Sequence, residues 1–175
     1  MRSIYENSAF LAELYTFVPE TGRLFHAKDK RAGNGCVTAK AGAPADTYIG
    51  NHGYRVVSFT ADGKARKFLA HRVLYTLVRG CIPDGMVIDH INGVRSDNRL
   101  NNLRVLTPQE NQQNRTKARG TDWYKHRSRW RARIMVDSRE IVLGMFGSEK
   151  EAYAAYLSAK AELHPASWLN QTGIL

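Results

Sequence analysis

Residues 86–111 read Met86-Val87-Ile88-Asp89-His90-Ile91-Asn92-Gly93-Val94-Arg95-Ser96-Asp97-Asn98-Arg99-Leu100-Asn101-Asn102-Leu103-Arg104-Val105-Leu106-Thr107-Pro108-Gln109-Glu110-Asn111. Met86-Val87-Ile88 runs straight into Asp89 and His90, which predicts a short strand ending on two ionisable side chains. A polar, Asn-rich loop follows from Asn92 to Asn102, and Leu103-Arg104-Val105-Leu106 returns as a second strand. Thr107 at the cap, Pro108 at the first position and Glu110 at the third then open a helix. That helix should run through Asn111, Asn114 and Arg115. The order is strand, long loop, strand, helix.

Working towards the N-terminus, Val73, Leu74, Leu77 and Val78 define the apolar side of a helix over 70–79 that ends at Gly80. Before it, Tyr54–Phe59 and Arg66–Leu69 are β-prone and flank the turn-forming Ala61-Asp62-Gly63-Lys64, a hairpin pattern. Residues 33–53 are rich in Gly, Ala and small polar side chains, an irregular connection with room for one strand. Ile4, Phe10, Leu11, Leu14 and Phe17 recur at helical spacing, so a leading helix is expected over 4–17, ending before Pro19 and the Glu20-Thr21-Gly22 turn.

Towards the C-terminus, residues 116–120 read as a basic, Gly-terminated linker. Arg129 to Val136 alternates strictly, with Trp130, Ala132, Ile134 and Val136 on one face and Arg129, Arg131, Arg133 and Met135 on the other. A turn at Asp137-Ser138 leads to a strand at Glu140–Leu143. Ser148-Glu149-Lys150-Glu151 is a capping box opening a last helix that carries Ala152, Ala155, Tyr156, Ala159 and Leu163 at helical spacing. The expected fold class is α+β: a ββα core at 86–118 within a domain over 1–115, then a small three-stranded antiparallel sheet packed on one helix over 121–166, and a tail over 167–175.

Composition narrows the partner. The 175 residues hold 26 Lys and Arg against 16 Asp and Glu, a formal charge of +10, which suits a polyanion. Hydrophobic residues make up 43%, and no apolar run approaches the about 20 residues of a membrane span. The N-terminal stretch places Glu6 and Glu13 among its apolar residues, so it lacks the apolar core of a secretory signal, and an intracellular location is expected. Cys36 and Cys81 stand apart without a CxxC pair, so neither a disulfide framework nor structural zinc is expected.

Hydrolysis of a phosphodiester needs an activated water and a cation on the phosphate oxygens. Asp89 offers an anionic oxygen and Asn111 a neutral carbonyl oxygen, hard donors that suit Mg²⁺, with Mn²⁺ as the alternative. His90 is left as the base, because an imidazole of pKa about 6.5 is mostly neutral at mildly alkaline pH and can take a proton. Taken alone, an Asp-His pair is usually a surface pair or a satisfied core residue. The strand before it, the Asn-Gly turn and the capped helix after it raise the catalytic reading. His71 reads as a residue locking a helix start, and His26, His52, His126 and His164 give no reason to invoke chemistry.

Ile88-Asp89-His90-Ile91-Asn92-Gly93, Asp97-Asn98-Arg99, Asn102-Leu103-Arg104 and Glu110-Asn111 resemble the HNH endonucleases, particularly the phage and intron-associated homing type. The resemblance implies a ββα-metal fold with Asp89 and Asn111 as metal ligands, His90 as general base and Asn102 as the residue that fixes the loop. Some relatives carry His where this chain has Asn111. Upstream, Gly53-Tyr54 and His71-Arg72 look like the usual lead-in to this core. Downstream, Gly120-Thr121-Asp122-Trp123-Tyr124, Trp130-Arg131-Ala132, Leu143-Gly144 and Phe146 resemble the ethylene-response-factor (APETALA-type) DNA-binding domain.

That second likeness implies a sheet in the major groove of double-stranded DNA, with Arg129, Arg131 and Arg133, and with Trp123, Lys125 and Arg127, facing it. The plain alternative is a solvated cationic face. Trp130 reads as packing, since it shares a face with Ile134. Glu140 falls on the arginine face, where it either reads a cytosine amino group or pairs with an arginine. The expected function is a metal-dependent DNA endonuclease of the phage or intron-associated homing type, acting as a monomer inside the cell, which is the host cell if the protein is phage-encoded. Its rival is a non-catalytic DNA-binding regulator retaining the same scaffold. A role resting on RNA lacks the stacking motifs such binders use.

Overall fold

The Asn7 side chain accepts a hydrogen bond from the Phe10 N–H at 2.9 Å and so caps α1 (Ser8–Leu14), which buries Leu11. The computed structural model of the chain describes residues 7–61, 64–114 and 120–170. Residues 4–6 of the expected leading helix, Asp62-Gly63 of the hairpin turn, Arg115 with linker positions 116–119, and 171–175 of the tail lie outside the described residues. By its contacts the chain divides into two units, Met1–Thr107 and Pro108–Leu175.

In the first unit α1 stops earlier than helical spacing predicts. Tyr15–Val18 is instead a strand, β1, paired antiparallel with β2 (Arg23–His26). The hairpin takes over because Gly22 adopts φ +64 and its N–H reaches the Val18 carbonyl at 2.8 Å, closing a turn that no helix through Phe17 would permit. The 33–53 segment, expected to be irregular with room for one strand, holds two short ones: β4 (Val37–Ala39) pairs with β3 (Lys30–Arg31) just before the segment, and β5 (Tyr48–Ile49) joins β6 (Arg55–Ala61) and β7 (Lys64–Leu69) in a three-stranded sheet.

The chain passes directly from β7 into α2 (Ala70–Arg79), which Gly80 ends at φ 85. Its buried side holds Val73 and Leu74 as expected, while Val78 lies at the exposed edge. Leu11, Leu24, Val57, Phe59, Phe68, Val73 and Leu74 form one core, with the Phe59 and Phe68 rings stacked 4.0 Å apart. Ile88 and Leu103 extend that core to β8 (Val87–His90) and β9 (Leu103–Leu106), an antiparallel pair in which Asp89 faces Arg104 and His90 faces Leu103.

The second unit begins with α3 (Pro108–Gln113), shorter than expected, since Asn114 already lies in a turn. Side-chain bonds tie α3 to its own unit: Gln109 Nε2 donates to Asp137 Oδ1 at 3.0 Å, and Gln113 Oε1 accepts from Ala166 N at 3.3 Å. β10 (Thr121–Tyr124), β11 (Arg129–Val136) and β12 (Arg139–Phe146) form an antiparallel sheet packed on α4 (Glu149–Leu163). The Ser148–Glu151 capping box forms as expected. α4 buries Ala152, Tyr156 and Lys160, with Leu163 exposed. Gly120, at φ +58, is required where it stands, because a Cβ there would lie 2.0 Å from Tyr156 Cδ2. The molecule is α+β, built of helices and small antiparallel sheets.

Candidate functional site

The end of β8 places Asp89 and His90 in the interior, 8% and 3% exposed, too little for an idle surface pair. Asp89 Oδ2 accepts from both Nε and Nη2 of Arg104, each at 2.9 Å, across the strand pair. This forked contact holds the carboxylate in one orientation. His90 Nε2 lies 3.1 Å from Asn98 Oδ1. Burial pushes the His90 imidazole below its usual pKa, against the opposing pull of the Asn98 hydrogen bond and the Asp89 and Asp97 charges. A neutral ring able to accept a proton near pH about 7 is the result.

Two aromatic side chains wall the imidazole. The His71 ring centroid sits 4.9 Å from that of His90, edge on, and the Tyr54 ring is 5.8 Å away. His71 comes from the first turn of α2 and is held well below the ordinary histidine value, at about 3, chiefly by burial and further by His90 and Arg72. The Arg95 guanidinium lies over the other side chain of this wall, 5.1 Å from the Tyr54 ring.

The loop between the two strands is pinned from within. Asn102 Oδ1 accepts from Asn92 N at 3.0 Å while its Nδ2 donates to the Asp97 carbonyl at 2.7 Å, so one side chain at the end of the loop ties its start and its middle. Asp97 in turn receives Arg99 Nε and Nη2 and Asn92 Nδ2, and these hydrogen bonds, the Arg99 one foremost, hold its pKa down at about 2. From outside, Arg55 Nε bonds the Ser96 carbonyl and its Nη1 the Asp46 carbonyl, while the buried Asp46 pairs with Arg23 at 2.8 Å.

Asp89, His90 and Asn102 are thus gathered in the first unit. Asn111, half-buried on α3, belongs to the second. As a donor, the Asp89 carboxylate is a hard oxygen of the kind that suits a divalent cation keeping waters and taking further oxygens from a phosphate. Among the described residues no group of three or more His, Cys, Asp and Glu is placed to hold a metal ion.

Within the second unit, Arg129, Arg131 and Arg133 share a face of β11, but two of them are engaged. Asp122 pairs with Arg131 at 2.9 Å and Arg133 at 3.1 Å, and Glu140 pairs with Arg133 at 2.7 Å. Of the alternatives for Glu140, the arginine pair is the one formed. Lys125 and Arg127 are exposed on the turn between β10 and β11. Trp123 does not join the arginines: it stands opposite Trp130 in register, its ring 5.7 Å from that one, and so shares the face of Ala132 and Ile134. Strand parity within β11 is readable in the sequence, whereas the pairing that sets the parity of β10 is not.

Asn98, Arg104, Tyr54 and His71 are contacts of the Asp89–His90 pair that sequence reasoning did not assign to it. Asn98 stood inside the quoted motif, so proximity in sequence was a signal. Arg104 needed the strand register, and the rings of Tyr54 and His71 needed the packing of β6 and α2.

Residues 68–113, which hold Asp89, His90, Asn102 and Asn111, match the family model described as HNH endonuclease. This segment therefore carries an HNH endonuclease domain, a match that covers less than half of the chain. Among curated proteins the chain is similar to YosQ, an SPbeta prophage-derived protein of Bacillus subtilis (strain 168) named for HNH homing endonuclease activity. The two are 34% identical over 76 residues, 43% of this chain and 44% of that protein. An uncharacterized HNH endonuclease of Acanthamoeba polyphaga mimivirus is 39% identical over 70 residues, 39% of this chain and 35% of that protein. The chain thus spans less than half the length of either relative. A solved structure describing DNA binding and cleavage by the HNH homing endonuclease I-HmuI aligns with 79% of this chain and 74% of that one, at 22% identity and a TM-score of 0.44. No helix among the described residues is long and apolar enough to cross a membrane.

Proposed function

We propose that this chain is a metal-dependent DNA endonuclease of the phage or intron-associated homing type, working as a monomer inside the cell. The observation that carries the reading is the buried Asp89–His90 pair at the end of β8, followed by a loop whose start and middle Asn102 ties together. The HNH endonuclease match over the same residues supports it.

In this reading His90 takes a proton from the water that attacks phosphorus, and the bond to the 3′ oxygen breaks without a covalent intermediate. Asp89, oriented by Arg104, and Asn111 would hold the divalent cation, Mg²⁺ first and Mn²⁺ second. Bound there, it stabilises charge on the phosphate and on the departing oxygen. Asn102 keeps the loop in the shape that presents His90. The nuclease domain runs over 1–115, the linker over 116–120 and an APETALA-like DNA-binding domain over 121–166, whose Arg129, Arg131 and Arg133, with Lys125 and Arg127, face double-stranded DNA.

Cleavage of supercoiled plasmid with Mg²⁺, Mn²⁺ or EDTA tests the reading. Wild type should nick or linearise the plasmid only with metal, and His90→Ala should lower the rate by about 10²–10⁴-fold while sparing DNA binding. Folded wild type that binds DNA and never cuts it would favour the regulator, and equal loss of binding and cleavage in His90→Ala would sink the catalytic role of that residue.

A further inference from the structure

We infer that Asn98 is a positioning residue for His90: its Oδ1 accepts a hydrogen bond from Nε2–H and thereby leaves the imidazole lone pair on Nδ1, the atom that takes the proton from water. The inference rests on His90 acting as the base.

The geometry is specific. Asn98 Oδ1 lies 3.1 Å from His90 Nε2, and both side chains are buried, at 1% and 3% exposure. A carbonyl oxygen can only accept, so Nε2 must donate, and a neutral imidazole then carries its lone pair on the other nitrogen. Asn98 is costly as a purely structural residue. Its Nδ2 is buried without a hydrogen-bond partner, and an orphaned amide donor in the interior is destabilising. An apolar side chain of similar volume would avoid that penalty, so what the amide supplies is the acceptor beside the imidazole.

The backbone of Asn98 is fixed by an element distant in sequence. Gly22, in the β1–β2 turn, lies so close that a Cβ there would sit 2.2 Å from the Asn98 carbonyl carbon and oxygen. With Arg55 holding the neighbouring Ser96 carbonyl at 3.2 Å, the segment bearing Asn98 is braced from both β1–β2 and β6. A side chain held by backbone contacts on two sides orients its partner with little loss of freedom on forming the contact.

The first measurement is the two-bond proton–nitrogen correlation spectrum of the full chain, labelled with ¹⁵N-histidine, with His90 identified by its absence in His90→Gln. The proton is expected on Nε2. Asn98→Leu should fold as stably as wild type or more so and bind DNA normally. Its kcat should fall by about 10²-fold with little change in KM, and its imidazole should be a mixture of tautomers. Asn98→Asp, which keeps an acceptor at the same place, should recover most of the rate and the Nε2–H form. A proton on Nδ1 in wild type, an Asn98→Leu enzyme as fast as wild type, or an Asn98→Asp enzyme as slow as Asn98→Leu would each overturn the inference. If Asn98→Leu fails to fold, the wild-type spectrum and Asn98→Asp still decide. A wild type without cleavage would remove the nuclease reading, while the spectrum would still report where the proton sits.

Discussion

Asp89 and Arg104 illustrate how a single buried pair can carry stability and hold a side chain in place. The carboxylate is almost wholly enclosed, and the two guanidinium contacts on Oδ2 compensate its charge while anchoring that oxygen. Arg104→Leu should therefore destabilise the protein by roughly 2–4 kcal/mol, because a buried charge without its partner is far more costly than no charge at all. Urea unfolding of Arg104→Leu, and of the same variant with Asp89→Asn added, checks this. The second change should return part of the loss, and a double variant no more stable than the single one would show that the ion pair is not the cause. Asn102 works differently: it carries no charge, and the oxygen and the NH2 of its one amide group substitute for the backbone hydrogen bonds that an irregular loop lacks.

Among the elements, α2 stands out because it buries a titratable ring. His71 lies in its first turn, packed on Tyr54 and His90, with its Nδ1 without a partner. Its pKa falls from 6.5 to about 3 on folding, so between those values the unfolded chain binds a proton that the folded one refuses. Stability should decline as pH drops through that window, by at most about 1.4 kcal/mol per pH unit from this group. His71→Phe should flatten that decline, as measured by urea titrations at pH values of about 7, 5 and 4. An unchanged slope would assign the acid sensitivity to other groups. The second unit shows an element reading its own sequence correctly. The strand β11 alternates as expected, yet the register shift between Ala132 and Arg133 changes which residues of β12 stand opposite its arginines.

For the molecule as a whole, a charge of +10 overstates what the sheet of the second unit presents to a polyanion. Asp122 and Glu140 engage Arg131 and Arg133, so a polyanion brought to this face would compete with carboxylates already in place. Asp122→Asn should tighten binding to random-sequence duplex by roughly three- to tenfold at low salt, with the gain shrinking as salt rises. Replacing Arg129, Arg131 and Arg133 with Ala should weaken binding and flatten its salt dependence, leaving cleavage by saturated enzyme little changed. Fluorescence anisotropy across a salt series measures both. An Asp122→Asn protein that binds no better than wild type would mean the pairs do not restrain the face.

Local pattern alone was enough for β8, the polar loop, β9, the start of α3, the β6–β7 hairpin, α2 and the capping box of α4. Each of these depends on residues near one another in the chain, whose spacing and capping chemistry act over a turn or a strand. It was also enough to pick out Asp89, His90 and Asn111 as candidates, while Asn102 entered through the resemblance to the HNH endonucleases. The exchange of helix for hairpin at Tyr15–Val18 was not legible there, because helical spacing and strand pairing competed and the partner strand decided between them. Nor were the Arg104 fork, the Asn98 acceptor, the His71 wall or the position of Trp123, for a shared reason. Register and packing join residues far apart in the chain, and the low dielectric they create is what makes a contact there orient a carboxylate or set a proton.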